Sequence, residues 1–165
     1  MSENYIVING KRAELTEEQL RQLGIEVPKA NPFTKSHKGK QYWWISTDGN
    51  VRDFTDNNDP VANDLYSVAN YCTDKEIMEQ RALRETLNRL LWRYAMEHTS
   101  KIKDKYVCYT IVKSSFNRRS TIEVRTCSRT LMFFGEIHFD TFEIAQSAIE
   151  EIIKPFMAAH PKFKW

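Results

Sequence analysis

Glycine is scarce, with five in 165 residues. Neither GxxxxGK[ST] nor GxGxxG occurs, so no phosphate-cradling loop at a helix start is expected. Cysteine is sparser still: Cys72, Cys108 and Cys127 are odd in number and show no CxxC or CxxH spacing. That argues against a secreted disulfide framework and makes a cytoplasmic chain the expectation. Long hydrophobic runs are missing, and MSENYIVING carries no basic segment followed by an apolar stretch, so neither a membrane span nor a processed leader is expected. An excess of one charge is missing too. Lys and Arg number 24 against 22 Asp and Glu, which excludes the global basic field of a DNA-coating protein and confines electrostatic preference to local patches.

What is present is a chain with 41% hydrophobic residues, enough for one domain with a real core or two small lobes sharing one. YIVINGKRAEL reads as a hairpin turning at Asn9-Gly10. Thr16 with Gln19 forms a capping-box pattern for a short helix over 17–23, which Gly24 ends. VPKANPFTKSHKGK, with two prolines, reads as a loop. In YWWISTDGNVRDF, a two-residue turn at Asp48-Gly49 would place Trp43 opposite Phe54, Trp44 opposite Asp53 and Ile45 opposite Arg52. Alternation then gives a core face of Trp43, Ile45 and Phe54, and an opposite face of Tyr42, Trp44 and Val51 on which Tyr42 and Trp44 are partly exposed. LYSVANY reads as a third short strand.

The longest element is a helix over 74–97, capped by Thr73 with Glu76. Its apolar stripe is Leu83, Leu87, Leu90, Leu91 and Tyr94, while the opposite side carries Met78, Arg81, Glu85, Arg89, Trp92, Arg93 and Met96. A helix buried on one face has no reason to present Met78, Trp92 and Met96 outward, so these imply a second packing partner inside or outside the protein. YVCYTIV and TIEVRT flank the polar SSFNRRS, LMFFGEIHF reads as another strand, and Asp140 with Glu143 caps a helix over 141–154 whose apolar face is Ile144, Ala148, Ile149 and Ile152. Pro155 ends it, and Phe163 and Trp165 fold back onto the body.

The expected architecture is α+β: antiparallel hairpins packed against the long central helix and the C-terminal helix. One compact domain over 1–165 is expected, with a hairpin and short helix in 1–30 and a ββ(β)α unit in each of 40–98 and 105–165. TDKEIMEQ and DTFEIAQS echo one another around a shared Glu-Ile pair, as related units would.

No complete catalytic motif is present. His37, His98, His138 and His160 show no HxxxH, HxH or HExxH spacing, so no metal or cofactor is expected. A Cys108–His138 nucleophilic pair requires neighbouring strands; inert buried thiols are the simpler reading. Asp53, Asp56 and Asp59 could serve a cation-dependent nuclease if their carboxylates converged, but Asp in turns more often hydrogen-bonds backbone. Two binding surfaces stand out: Tyr42, Trp44, Trp92 and Met96 as apolar anchors amid Arg81, Arg89 and Arg93, and Lys38, Lys40, Arg118 and Arg119 as phosphate contacts with Tyr42 and Trp44 stacking bases.

NGKRAELTEEQLRQLGI, YWWISTDGNV with LYSVANYCTDKEIMEQRALRETLNRLLWRYAMEH, and IHFDTFEIAQSAIEEIIKPFMAAHPKF resemble uncharacterised small proteins of Firmicutes phages, prophages and mobile elements. Phage accessory proteins of this size resemble inhibitors of host defence, including anti-CRISPR proteins. The resemblance implies a non-enzymatic inhibitor in the bacterial cytoplasm whose partner is a host defence protein or nuclease ribonucleoprotein. A nucleic-acid-binding module is the alternative.

Overall fold

The structure, a computed structural model, describes residues 5–8, 11–24, 31–36, 38–98, 107–116, 119–128 and 136–165. The turn at Asn9-Gly10, His37, Arg118 and the 131–135 part of the expected strand lie outside these. The chain forms two compact units, Met1–Thr34 and Lys35–Trp165. It is α+β, with three separate antiparallel hairpins and one long helix among the described residues. Among the described residues, no helix is long and apolar enough to cross a membrane.

In the first unit, β1 (Tyr5–Ile8) pairs with β2 (Lys11–Glu14), Ile8 opposite Lys11. Helix α1 (Glu17–Gln22) begins with the expected capping box: the Gln19 N–H donates to Thr16 Oγ1 at 3.3 Å, and the Thr16 N–H donates to Gln19 Oε1 at 2.9 Å. Leu20 on this helix is buried.

In the second unit, β3 (Gln41–Ile45) and β4 (Val51–Thr55) form the hairpin, with a register one residue away from expectation. Trp43 faces Asp53, Trp44 faces Arg52 and Ile45 faces Val51. The cause is the loop. Ser46 N–H donates to Asn50 O at 2.9 Å and Gly49 N–H to Ser46 O at 2.8 Å, enclosing three residues of which Gly49 alone has positive φ, +83°. A two-residue type I′ turn would require Asp48 to adopt positive φ as well; instead its carboxylate accepts from the Ser46 hydroxyl, from Asn50 N–H at 3.1 Å and from Arg52 Nη2 at 2.9 Å.

A slip of one residue turns every β4 side chain to the other face. Val51 therefore joins Trp43 and Ile45 against Cys72, Met78 and Ala82. Phe54 is not in the core: it lies beside Tyr42, edge-on at 6.4 Å, and is 52% exposed. Tyr42 is not on the surface either. It is 0% exposed, stacked on Tyr71 at 4.4 Å and packed with Ala62, so both faces of β3 are covered while residues 52–55 of β4 stay exposed.

The expected strand LYSVANY does not form: Leu65 to Ser67 close a helix, α2 (Pro60–Ser67), Val68 and Ala69 turn out of it, and Asn70 and Tyr71 lead on to Cys72. Asp59 accepts from Ala62 N–H at 2.9 Å and Pro60 supplies a pre-set φ at the first helical position, a start signal that outweighs the strand preference of Val61 and Tyr66. Strand pairing survives as one antiparallel bridge, Trp43 to Cys72. The Asn70 side chain extends it, accepting from Ile45 N–H at 2.8 Å and donating to Ile45 O at 2.7 Å.

Helix α3 (Lys75–Glu97) is capped by Asp74, one residue past the expected Thr73, with Ile77 N–H as donor at 3.1 Å. It separates two cores. Met78 and Ala82 meet the β3–β4 hairpin, whereas Leu87, Leu91, Tyr94 and Ala95 meet the C-terminal elements.

Strands β5 (Val107–Phe116) and β6 (Arg119–Ser128) pair in full register through much of the segment expected to be a loop. The third strand is reduced, among described residues, to one bridge between Tyr109 and Phe139. Thr141, not Asp140, caps α4 (Phe142–Ala148), accepting from Ile144 N–H at 3.2 Å. The helix does not stop at Pro155. A π-helical turn (Ile149–Ile153) leads into α5 (Lys154–Ala159), and this wider turn accommodates a proline that has no N–H to give to the carbonyl four residues back. Ala145, Ala148, Ile149, Ile153 and Phe156 face the core with Tyr109, Ile111, Ile122 and Val124. Phe163 is buried against Phe156, and the tail is tied to α3 by Gln80, which donates to Lys162 O at 3.0 Å and accepts from Lys164 N–H at 2.8 Å.

Candidate functional site

The outer face of α3 carries the most exposed large apolar pair on this helix. Positions 89, 92, 93 and 96 fall within one arc of the helix, and Trp92 and Met96 are 61% and 57% exposed. Arg89 and Arg93 flank them; Arg93 is within 4.0 Å of Glu97, a solvated pair of little energy. Beside this face lies a groove of about 510 Å³ between the β3–β4 turn, Thr47 to Gly49, and Thr86, Arg89, Leu90, Trp92 and Arg93. A larger cleft of about 1020 Å³ runs from Gly49 to the C-terminal tail. Of the charged residues lining it, Lys75 pairs with Glu79, and Glu76 pairs with Lys164 of the tail.

The other predicted anchors are distributed differently. Burial of Tyr42 removes it as a contact residue, and Trp44 is half-buried against the Tyr42–Ala62–Tyr71 core. Arg81 holds the fold, donating to Ala69 O and to Glu85 Oε1 at 2.8 Å; Ala69 has φ 56, so its carbonyl lies in a strained turn that this guanidinium holds. Met78, expected on the same outward side, is fully buried: its second packing partner is the β3–β4 hairpin. Lys38 and Lys40 are exposed. Arg119 stands at the start of β6, opposite Phe116. With Tyr42 inside, the expected stacking platform for bases lacks its central ring.

The aspartates have structural duties. Asp56 is 0% exposed and accepts from Tyr71 Oη at 2.9 Å and Asn58 N–H at 2.8 Å. Asp59 caps α2, and Asp53 accepts from Gln41 Nε2 at 2.6 Å. Among the described residues, their carboxylate oxygens do not converge as metal ligands do.

A different set does converge. The β5–β6 register places Cys108 directly opposite Cys127, with sulfurs 2.9 Å apart, and the Tyr109–Phe139 bridge brings the segment holding His138 alongside β5. A ring nitrogen of His138 and both sulfurs lie within 4.8 Å of one another. Burial, then the adjoining Cys108 thiol and Glu136, push the Cys127 thiol up to about 12.

No protein-family model, curated protein or solved structure matches this chain.

Helical spacing alone put large apolar residues on a second side of α3, but not which of them are exposed: Trp92 and Met96 are, whereas Met78 is buried. The Cys108, Cys127 and His138 cluster carries no local signal, because its members come from three chain segments joined only by strand pairing.

Proposed function

We propose that this protein is a non-enzymatic binding protein that docks its partner on the outer face of α3, and that the partner is a bacterial defence nuclease it inhibits. The observation that carries the docking surface is the exposed Trp92–Met96 pair between Arg89 and Arg93. Burying most of the exposed area of these two side chains is worth on the order of 5 kcal/mol before the costs of association. Aromatic and arginine side chains are where interface energy concentrates, and arginines around an apolar centre favour a partner with carboxylates around an apolar pocket. The groove beside the β3–β4 turn supplies a concave margin for such a contact. The defence-nuclease partner rests on the resemblance to small phage proteins, and the docking face on the geometry.

Capture from a bacterial lysate, read by mass spectrometry, tests both when the unmodified chain is compared with a Trp92→Ala/Met96→Ala variant. The expected result is a defence nuclease retained by the first and lost by the second, with interference relieved in a plasmid-challenge assay. Unaltered interference with no defence protein captured would remove the inhibitor reading. Capture that is indifferent to Trp92 and Met96 would remove this face as the site.

A further inference from the structure

We infer that Cys108, Cys127 and His138 form a binding site for a thiophilic divalent metal ion, with zinc(II) the best match and Glu136 within reach as a fourth ligand. Opposite residues in an antiparallel ladder share a face, so Cys108 and Cys127 project together, while Tyr109 on the other face packs into the core with Ile111 and Val124. Phe139 bridges Tyr109 and is buried in that same core, and alternation then sends Glu136 and His138 to the cysteine side. The contact distances agree with this placement, since the two sulfurs and an imidazole nitrogen are mutually within 4.8 Å.

The His138 side chain is only 9% exposed, and its Nε2 finds no hydrogen-bond partner among the described residues. Glu136 Oε2 is 3.2 Å from that nitrogen but without hydrogen-bond geometry. A buried imidazole nitrogen that makes no hydrogen bond costs free energy that metal ligation through that nitrogen would recover. A Cys108–Cys127 disulfide would use both sulfurs and leave that nitrogen as it is. An ion engages all three groups.

Two thiolates and an imidazole are a donor set that zinc prefers over magnesium or calcium. Binding replaces both S–H protons by Zn–S bonds and releases two protons; the two thiolate charges balance the divalent ion, and the one further negative charge that Glu136 would bring sits on a side chain 39% exposed to solvent. A tetrahedral site separates its sulfurs by roughly 3.7 Å, so the pair, now at 2.9 Å, needs only small side-chain rotations to open around an ion.

The test uses the full chain, reduced and stripped with chelator, then titrated with Zn(II) and separately with Co(II). One equivalent of tightly held Zn(II) per chain is expected, with Co(II) giving the intense visible bands of a tetrahedral thiolate site. Cys127→Ser and His138→Gln should each weaken Zn(II) binding by roughly a hundredfold or more. Cys72→Ala, which alters a cysteine elsewhere, should leave it unchanged. Circular dichroism checks that each variant is folded, and the Co(II) spectrum of the unmodified chain gives an answer even where a variant is not. Failure of the folded, reduced chain to take up an equivalent of either ion would overturn the assignment. So would octahedral Co(II) bands without thiolate absorption, or binding that persists when Cys108 and Cys127 are both serine.

Discussion

Replacing Asp56 by alanine separates a structural carboxylate from a chemical one. Asp56 is fully buried, its two oxygens accept from Tyr71 Oη at 2.9 Å and Asn58 N–H at 2.8 Å, and its backbone is paired at both ends, to Lys40 and Gly39. Hydrogen bonds to a charged acceptor contribute about 1.5–3 kcal/mol each, and their loss leaves donors in a site without water. The Tyr71 hydroxyl retains Ser36, whereas the Asn58 N–H, at φ 57, loses an acceptor that helps hold an unusual backbone conformation. The expected cost of Asp56→Ala is therefore about 3–4 kcal/mol. Asp56→Asn keeps one carbonyl for Asn58 and the shape of the site, and should cost about 1–2 kcal/mol. Asp53→Ala removes one exposed contact with Gln41 and should change stability by less than about 0.5 kcal/mol. Urea denaturation followed by tryptophan fluorescence measures all three. If Asp56→Ala lay within about 0.5 kcal/mol of the parent, or Asp53→Ala cost as much as Asp56→Ala, the structural role given to Asp56 would be wrong.

Met78→Ala should cost about 2–5 kcal/mol, because this fully buried side chain joins α3 to the β3–β4 hairpin; a loss under about 1 kcal/mol in thermal unfolding would mean the hairpin packs elsewhere. Asn70→Ala removes two hydrogen bonds to the Ile45 backbone, and amide exchange at Ile45 should accelerate far more than at Trp43, whose bonds to Cys72 remain; equal acceleration would refute that local role. Burial raises Tyr42, Tyr71 and Tyr94 above the ordinary tyrosine value, so the folded state binds protons that the unfolded state has released. Their contribution is intact below pH of about 10 and is lost as pH rises through the folded values, so their phenolate absorbance should appear together with unfolding. Ionisation of all the tyrosines at an ordinary pH while circular dichroism stays native would contradict this.

Local chemistry was legible in the residues themselves. The Thr16–Gln19 box closes as its spacing requires, and the α3 stripe of Leu83, Leu87, Leu90, Leu91 and Tyr94 faces the C-terminal core, because a cap and a helical face depend on neighbours within one or two turns. Competing local signals were harder to rank. The Asp59 cap with Pro60 prevailed over strand-forming side chains in α2, and the Asp48 side chain selected a three-residue loop that reversed β4.

Sequence alone determined that α3 carries large apolar residues on two sides, since 3.6-residue periodicity is a property of the chain. Which of them meet solvent was a tertiary decision: the β3–β4 hairpin is long enough to cover Met78 and Ala82, while Trp92 and Met96 remain exposed. Tyr42 went inward for the same kind of reason, because α2 and Tyr71 supply a second wall that strand alternation cannot reveal. The meeting of Cys108, Cys127 and His138 is likewise tertiary. Strand register and a single bridge bring them together, and long-range pairing has no periodic trace in the residues it joins.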